Sequence, residues 1–271
     1  MANDLPIGMF DSGVGGLTVL REVMAQLPRE STVYFGDTAR VPYGSKSRDV
    51  IVRFSLEIGQ FLIQEKVKMI VVACNTASAF ALPALSSKFD LPIVGVIAPG
   101  AQAALQATKS RRVGVIGTEG TIESQAYTEA IRALDPRIEV FGQACPLIVP
   151  LVEEGWLDKP VASEIVKEYL APLLTNRIDT LVLGCTHYPL LKGLLSNVTG
   201  PQIQLIDSAQ ETARAVARRL KEGHLEASAS SGPAVRRFYV SDAPGKFEKI
   251  GRRFLGQDLP GVKLVDIGAW L

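Results

Sequence analysis

Short apolar segments rich in β-branched residues recur along this chain, and longer amphipathic segments separate most of them. Nearly unbroken hydrophobicity over a few residues is typical of strands buried on both faces of a parallel sheet. The segments between them, such as Ser47–Lys66 and Ser163–Leu174, are typical of covering helices. This alternation predicts an α/β fold. The predicted strands are Pro6–Phe10, Thr32–Phe35, Met69–Ala73, Ile93–Ile97, Arg112–Ile116, Ile138–Phe141, Thr180–Leu183, Gln204–Ile206, Phe238–Ser241 and Val262–Asp266.

The first part of the chain is weakly repeated in the second. Three matched pairs of segments, offset by 106, 111 and 110 positions, are Ile7–Ser12 with Val113–Thr118, Val71–Thr76 with Val182–His187, and Val94–Gln102 with Gln204–Thr212. Strand ends resemble one another, so one match could arise by chance. Three matches in one order at nearly one spacing predict two pseudo-symmetric lobes, each an open, mostly parallel sheet flanked by helices, with a cleft between them.

The same repeat predicts how the chain divides. We expect lobe one to comprise residues 1–98 and 208–271, and lobe two to comprise residues 99–207. The polar, small-residue stretch Gly223–Pro233 is typical of an exposed linker. The segment after it contains two predicted strands and a predicted helix around Lys246–Phe254. We expect this C-terminal segment to pack back onto lobe one.

Composition argues against several classes of protein. The 29 basic and 28 acidic residues are mixed along the chain, so we expect no nucleic-acid partner. The first residues do not resemble a signal peptide, and no apolar run approaches the roughly 18 residues of a membrane-spanning helix. Three cysteines without a CxxC pair, and two histidines, argue against a disulfide framework and a metal site. We therefore expect a cytoplasmic protein with free thiols, no metal and no membrane partner.

Ligands of open α/β sheets bind beyond the carboxyl ends of the strands. In lobe one these ends carry Asp11, Ser12, a glycine cluster at Gly13–Gly16, and Cys74–Thr76. The glycine cluster lacks both GxGxxG spacing and the lysine of a phosphate loop. It is either a turn whose N–H groups face an anion at a helix start, or a purely structural turn.

In lobe two the matching ends carry Thr118, Thr121 and Cys185–Tyr188. Cys74 and Cys185 occupy the same slot in each repeat, and polar groups follow both. Two thiols that reach one carbon from opposite faces can invert a stereocentre, one as thiolate base and the other as thiol acid. Because an unperturbed thiol is mostly protonated at neutral pH, each needs help, which Asp11 and His187 could provide.

A structural interpretation stays open for each of these residues. Cysteine is among the most buried residue types, so either thiol could be a small core residue. We assign that role to Cys145, which stands beside Pro146 without polar neighbours in the sequence. His187 could likewise be a packed structural histidine.

Four motifs taken together resemble glutamate racemase, a member of the aspartate/glutamate racemase superfamily. They are Phe10–Gly16, Gly36–Asp37 with Pro42–Gly44, Ala73–Ala77, and Gly184–Pro189. The resemblance spans nearly the whole chain. It implies a cofactor-independent amino-acid racemase that interconverts L- and D-glutamate, supplies D-glutamate for peptidoglycan, and often forms a homodimer.

The resemblance also implies roles for individual residues. Cys74 would take the proton from D-glutamate and Cys185 from L-glutamate, assisted by Asp11 and His187 respectively. A catalytic glutamate at the lobe interface maps onto Glu153 or Glu154, and we favour Glu153. The implied substrate-binding residues are Asp11, Ser12, Tyr43, Gly44, Asn75, Thr76, Thr118, Thr121, Thr186 and His187.

Other functions fit parts of the sequence. An aspartate or hydantoin racemase, or a decarboxylase with one thiol, would share the fold, although the paired thiols argue against the decarboxylase. A two-lobed amino-acid binder or a protein inhibitor would need no thiol at either matched position. A pyridoxal phosphate enzyme would need a reactive lysine, for which we find no local pattern.

Overall fold

The computed structural model describes residues 4–228 and 232–267 and contains two parallel sheets. The six-stranded sheet has the order β10-β9-β2-β1-β3-β4, and the four-stranded sheet the order β6-β5-β7-β8. The strands are β1 Ile7–Asp11, β2 Thr32–Gly36, β3 Met69–Val72, β4 Ile93–Gly95, β5 Arg112–Gly117, β6 Glu139–Ala144, β7 Thr180–Gly184, β8 Gln204–Asp207, β9 Arg236–Val240 and β10 Lys263–Leu264. Each of these strands pairs with its neighbours in parallel.

Helices connect consecutive strands and cover the sheets. They are α1 Leu17–Gln26, α2 Arg48–Gln64, α3 Asn75–Lys88, α4 Ile97–Ala107, α5 Glu119–Glu123, α6 Ala126–Leu134, α7 Ile148–Glu153, α8 Pro160–Thr175, α9 Lys192–Thr199, α10 Ser208–Glu222 and α11 Pro244–Leu255. Short 3-10 turns at Thr38–Arg40, Tyr43–Ser45 and Tyr188–Leu191 shape the loops at the strand ends. Within the described residues, no helix is both long and apolar enough to cross a membrane.

The two sheets repeat one arrangement. Strands β2-β1-β3-β4 of the larger sheet follow the same spatial order as β6-β5-β7-β8. The matched sequence segments fall on β1 and β5, on β3 and β7, and on β4 and β8. The central strands β1, β3 and β7 are buried along their whole length, as their unbroken hydrophobicity predicts. The predicted α/β class with two lobes is confirmed.

The C-terminal segment joins the larger sheet. Strand β9 pairs with β2 over Thr32–Gly36, and β10 pairs with β9. Helix α11 packs against α1, where Leu17 lies in the space beside Gly251. The return of this segment to the first sheet agrees with the expectation, while the residue bounds 1–98, 99–207 and 208–271 stay a prediction.

Several details differ from the sequence analysis, among them the end of β6, which reaches Ala144 and not Phe141. Strand β4 ends at Gly95, not at Ile97, because the chain turns there into α4. The predicted linker is not exposed throughout: Ala227 is buried, and its N–H donates to Glu30. The backbone carbonyl of Leu225 accepts a hydrogen bond from the buried Lys68 ammonium. Residues 229–231 of that stretch lie outside the described residues.

Candidate active site

Predicted site residues from the two sheets touch one another. The Thr76 hydroxyl, after β3, lies 2.9 Å from the Thr118 hydroxyl and 3.2 Å from that of Thr121, both after β5. The hydroxyl of Tyr127 on α6 donates to the side-chain carbonyl of Asn75 at 2.8 Å. These contacts place the carboxyl ends of the two sheets face to face, as expected of a site shared by the two halves.

Cys74 stands between β3 and α3, of which it is the N-cap. Its sulfur accepts a hydrogen bond from the Ala77 N–H at 3.4 Å and lies 3.8 Å from the Ser12 hydroxyl. Only 5% of the residue is exposed. Burial, together with the nearby charge of Asp11, raises the pKa of the Cys74 thiol to about 12. In the structure as it stands, Cys74 is therefore a protonated thiol beside a carboxyl group.

Asp11 is the last residue of β1 and is almost completely buried. Burial raises its pKa, against the opposing effects of the His187 charge and of hydrogen bonds from the Gly13 and Gly16 N–H groups. The Gly13 N–H donates to Oδ2 at 3.1 Å. Two N–H groups of the glycine turn thus bind an anion of the protein itself. Asp11 also interacts with Cys74 on its own side and with His187 across the interface.

Cys185 follows β7 in the slot that Cys74 occupies after β3. Its sulfur lies 3.9 Å from Nδ1 of His187, and Nε2 of that ring lies 3.0 Å from Oε1 of Glu153. Burial by itself lowers the pKa of His187, but hydrogen bonds with Cys185 and Glu153 outweigh burial and raise it to about 10. The bond to His187 in turn lowers the pKa of Glu153. These three groups form a chain from sulfur through imidazolium to carboxylate.

The sequence left Glu153 and Glu154 as alternatives at the interface. Glu153 is the carboxylate in contact with His187, whereas Glu154 lines an apolar groove with Leu147 and Trp156. Glu153 also borders a cavity of about 380 Å³ with Gly44 and Thr118. The geometry therefore favours Glu153, as we had favoured it from the resemblance.

The glycine turn allows the two halves to approach. A Cβ atom on Gly15 would overlap the Thr186 hydroxyl and lie 2.5 Å from Nδ1 of His187. A Cβ atom on Gly16 would lie 2.6 Å from the Asp11 side chain and 2.8 Å from the Tyr34 hydroxyl. The turn is therefore not a purely local structure, because Gly15 packs against Thr186 and His187 of the other half.

Two predicted substrate-binding residues are placed in ways that the sequence did not indicate. Tyr43 is 1% exposed, and its hydroxyl donates to the buried carboxylate of Asp37. Its hydroxyl is therefore engaged in supporting the loop after β2. Asn75 is also buried, and its Nδ2 has no hydrogen-bond partner. A buried donor without an acceptor is costly, so it marks a place where a ligand oxygen would be favourable.

Sequence reasoning missed several neighbours of the site. Tyr127 on α6 and Phe254 on α11 contact Asn75 and His187 respectively, but nothing in their local sequence indicates this. Cys145 is confirmed as a core residue, fully buried within the four-stranded half. Among residues 4–228 and 232–267, no group of three or more His, Cys, Asp or Glu side chains is arranged to hold a metal ion.

Comparison with known proteins agrees with this geometry. The family model of Asp/Glu/hydantoin racemase matches residues 11–216. A glutamate racemase from Geobacter metallireducens is 54% identical over 263 residues, which cover 97% of each chain.

Solved structures are similar over nearly the whole chain. A glutamate racemase from Bacillus anthracis has a TM-score of 0.93 at 42% identity, with 97% of each chain covered. A glutamate racemase from Francisella tularensis in complex with D-glutamate has a TM-score of 0.92 at 37% identity, covering 98% of this chain and 99% of the other. The resemblance found in the sequence is thus confirmed. The chain belongs to the Asp/Glu/hydantoin racemase family and is an amino-acid racemase.

Proposed function

We propose that this racemase interconverts L-glutamate and D-glutamate by proton transfer between two cysteines, without a cofactor. The observation that carries the proposal is the equivalence of Cys74 and Cys185. Each follows the matching strand of its half, at the edge that touches the other half, and each has its own buried ionisable neighbour. A single core cysteine would need no such neighbour, and Cys145 has none among the acids and histidines.

The proposed reaction removes one proton from one face of the α-carbon and delivers another to the opposite face. With D-glutamate, Cys74 as thiolate removes the α-proton, so a C–H bond breaks while an S–H bond forms. Cys185 then gives its thiol proton to the opposite face, and its S–H bond breaks as the new C–H bond forms. The enzyme is left with Cys74 protonated and Cys185 as thiolate, which is the starting state for L-glutamate.

In the proposal, Asp11 and His187 assist proton transfer at Cys74 and Cys185 respectively. A buried Cys74 with a pKa of about 12 must be activated before it can act as a base. The ammonium group of a bound amino acid favours the anionic forms of Cys74 and Asp11, because a nearby positive charge stabilises an anion. On the other side, the imidazolium of His187 lies next to the Cys185 sulfur and is held by Glu153.

The carbanion formed between these steps needs fixed donors. Asn75 has an unpaired Nδ2, and the hydroxyls of Ser12, Thr76 and Thr186 lie in the same region. Donors fixed in a water-poor site stabilise developing charge without reorganisation, which is the role that we assign to them around the α-carboxylate. We assign the side-chain carboxylate of glutamate to Gly44, Thr118 and Thr121, which lie where the two halves meet.

Glutamate is proposed as the substrate because the similar proteins are glutamate racemases and one of them binds D-glutamate. The proposal extends to the cell: the product would supply peptidoglycan synthesis in the cytoplasm, and the enzyme would act as a homodimer. Support for these last points comes from the family resemblance alone.

The test measures racemisation by circular dichroism of purified protein with L-glutamate and no added cofactor. We expect Cys74→Ala and Cys185→Ala each to abolish racemisation while the far-ultraviolet spectrum stays native. Cys145→Ala is the matched control, since it removes a buried thiol whose pKa is influenced by no acid or histidine, and it should retain activity.

Deuterium incorporation at the α-carbon in heavy water separates the alternatives. A non-catalytic binder would show none, and a pyridoxal phosphate enzyme would absorb near the visible edge. Undiminished turnover in either site variant would contradict the two-cysteine mechanism. Activity with aspartate and none with glutamate would contradict the substrate.

A further inference from the structure

Helix α11 lies against the Glu153–His187 pair although it belongs to the C-terminal segment of the chain. The ring of Phe254, which is fully buried, lies edge-on to the His187 ring with 5.0 Å between the centroids and 80° between the planes. The charge of Lys246 contributes to the lowered pKa of Glu153. One face of α11 therefore presents an aromatic ring to the imidazole and a cation to the carboxylate.

Arg253, next to Phe254, binds the main chain from which Glu153 projects. Its Nη1 donates to the backbone carbonyls of Val152 at 2.8 Å and Glu153 at 3.0 Å. These carbonyls belong to the last turn of α7, where the Val152 carbonyl also accepts from the Gly155 N–H at 3.1 Å. A cation there gives the Val152 carbonyl a second donor, gives the Glu153 carbonyl a donor, and complements the negative end of the helix.

The chain after α7 is shaped to receive this guanidinium. Gly155 has a φ of +77°, which side-chain-bearing residues rarely adopt. A Cβ atom at Gly155 would also lie 2.6 Å from Nη2 of Arg253. Both the backbone angle and the position of the guanidinium thus favour a glycine here.

Helix α11 is itself anchored to the six-stranded half. Arg21 on α1 donates to the backbone carbonyl of Phe254 at 3.3 Å, and Leu17 packs beside Gly251. The Phe247 ring lies 6.0 Å from that of Tyr34 on β2. A helix attached to one half therefore holds groups that belong to the other.

We propose that α11 positions the Glu153–His187 pair, with Arg253 as a positioning residue that fixes the end of α7 so that Glu153 reaches the imidazole. The inference rests on the proposed function only in assigning the pair to proton transfer at Cys185. Without Arg253, the Glu153 carbonyl loses its donor and the Val152 carbonyl keeps only the Gly155 N–H, so Glu153 is no longer held 3.0 Å from Nε2 of His187. His187 then loses part of the stabilisation of its charged form.

The charged groups around His187 come from several elements. Cys185 and Glu153 bond to the ring, and Asp11 interacts with it from β1. Lys246 on α11 and Asp242 before it line a small cavity together with Glu153. Replacing Arg253 changes none of these side chains, so any change at His187 reports on the position of Glu153 and on the loss of one nearby cation.

The test compares Arg253→Ala with Arg252→Ala, which removes the same charge from the same helix. Arg252 pairs with Asp258 at 2.8 Å, and its side chain is 71% exposed. The titration of His187 is followed by NMR of protein labelled with ¹⁵N-histidine. The chain has two histidines, so a His224→Gln background leaves the His187 signal alone.

We expect Arg253→Ala to lower the pKa of His187 by about one unit and to lower kcat/KM about tenfold in both directions. Arg252→Ala should leave both unchanged. Arg253→Lys, which keeps a charge and a donor, should recover part of each effect.

An unchanged His187 pKa in Arg253→Ala, or equal shifts in the two alanine variants, would overturn the inference. If Arg253→Ala does not fold, Arg253→Lys carries the same comparison. The titration of His187 does not depend on turnover. A wild-type protein that failed to racemise glutamate would therefore contradict the proposed function, but the comparison of His187 pKa values would still test the role of Arg253.

Discussion

Gly15 is a residue at which the two halves are in direct contact. The space that a side chain would need there is filled by Thr186 and by the imidazole of His187. Thr18, one turn further along, donates its hydroxyl to the backbone carbonyl of Thr186 at 2.9 Å. A glycine at position 15 therefore allows Thr186 and His187 to take their places in the site.

Gly15→Ala is expected to lower racemase activity strongly while the protein stays folded. The added methyl group must displace Thr186 and His187, and misplacement of about 1 Å can cost about a hundredfold in rate. Activity and the His187 NMR signal should change together. Gly193→Ala on α9, where a Cβ atom meets nothing within 4 Å, is the control and should keep full activity. Equal activity of both variants would show that the contact at Gly15 is unimportant.

At the scale of elements, side chains at strand ends hold the helices that follow them. The sulfur of Cys74 caps α3, the hydroxyl of Thr118 caps α5, and the carboxylate of Asp207 caps α10. A cap accepts a hydrogen bond from an N–H that has no partner inside the helix. Cys74 and Thr118 therefore serve the fold and the site with the same atoms, and this ties their positions to the helix axes.

Asp179, just before β7, ties that strand to the loop after α4. Its carboxylate accepts from the Thr108 hydroxyl at 2.6 Å and from the N–H groups of Lys109 and Ser110. Partial burial alone would raise the pKa of Asp179, but these hydrogen bonds lower it to about 2. The folded protein thus favours the ionised form more than the unfolded chain does.

Asp179→Asn is expected to lower the free energy of unfolding near neutral pH. A depressed pKa contributes stability that is fully present above the unfolded value, about 3.9, and is lost as the pH falls through about 2. The difference between wild type and variant should therefore shrink between pH 4 and pH 2 in urea titrations. Asp258→Asn, at an exposed pair, should change little at any pH. A difference that stayed constant with pH would contradict this account.

At the scale of the whole molecule, a buried ion pair anchors the start of the C-terminal segment to the six-stranded half. Lys68 Nζ lies 2.6 Å from Oε2 of Glu30, and the two side chains are 2% and 4% exposed. The same two residues bind the backbone at Leu225 and Ala227, at the point where the chain leaves α10. The segment that carries β9 and α11 is thereby directed back to the six-stranded half.

Lys68→Met is expected to destabilise the protein by about 3–5 kcal/mol, because it leaves Glu30 buried without its counter-charge. The double variant Lys68→Met with Glu30→Gln removes both charges and keeps an acceptor for the Ala227 N–H. It should recover at least half of the loss in urea-induced unfolding. A double variant no more stable than the single one would show that the loss comes from packing and not from the unpaired charge.

The sequence by itself determined the elements, the repeat and the residues at the strand ends. Hydrophobic runs and strand-end positions are local properties, so β1, β3 and β7 could be predicted from neighbouring residues alone. The pairing of Cys74 with Cys185 could be predicted from the internal repeat. Glu153 was reached only through the family resemblance, and the support of the Tyr43 ring by Asp37 was not foreseen.

Tertiary structure decided which groups meet. Glu153 contacts His187 across 34 positions of the chain, and Asn75 contacts Tyr127 across 52. Arg253 reaches the end of α7 across about a hundred. Such contacts leave no local pattern, because they depend on how two sheets and a returning helix pack together and not on the residues beside them in the chain.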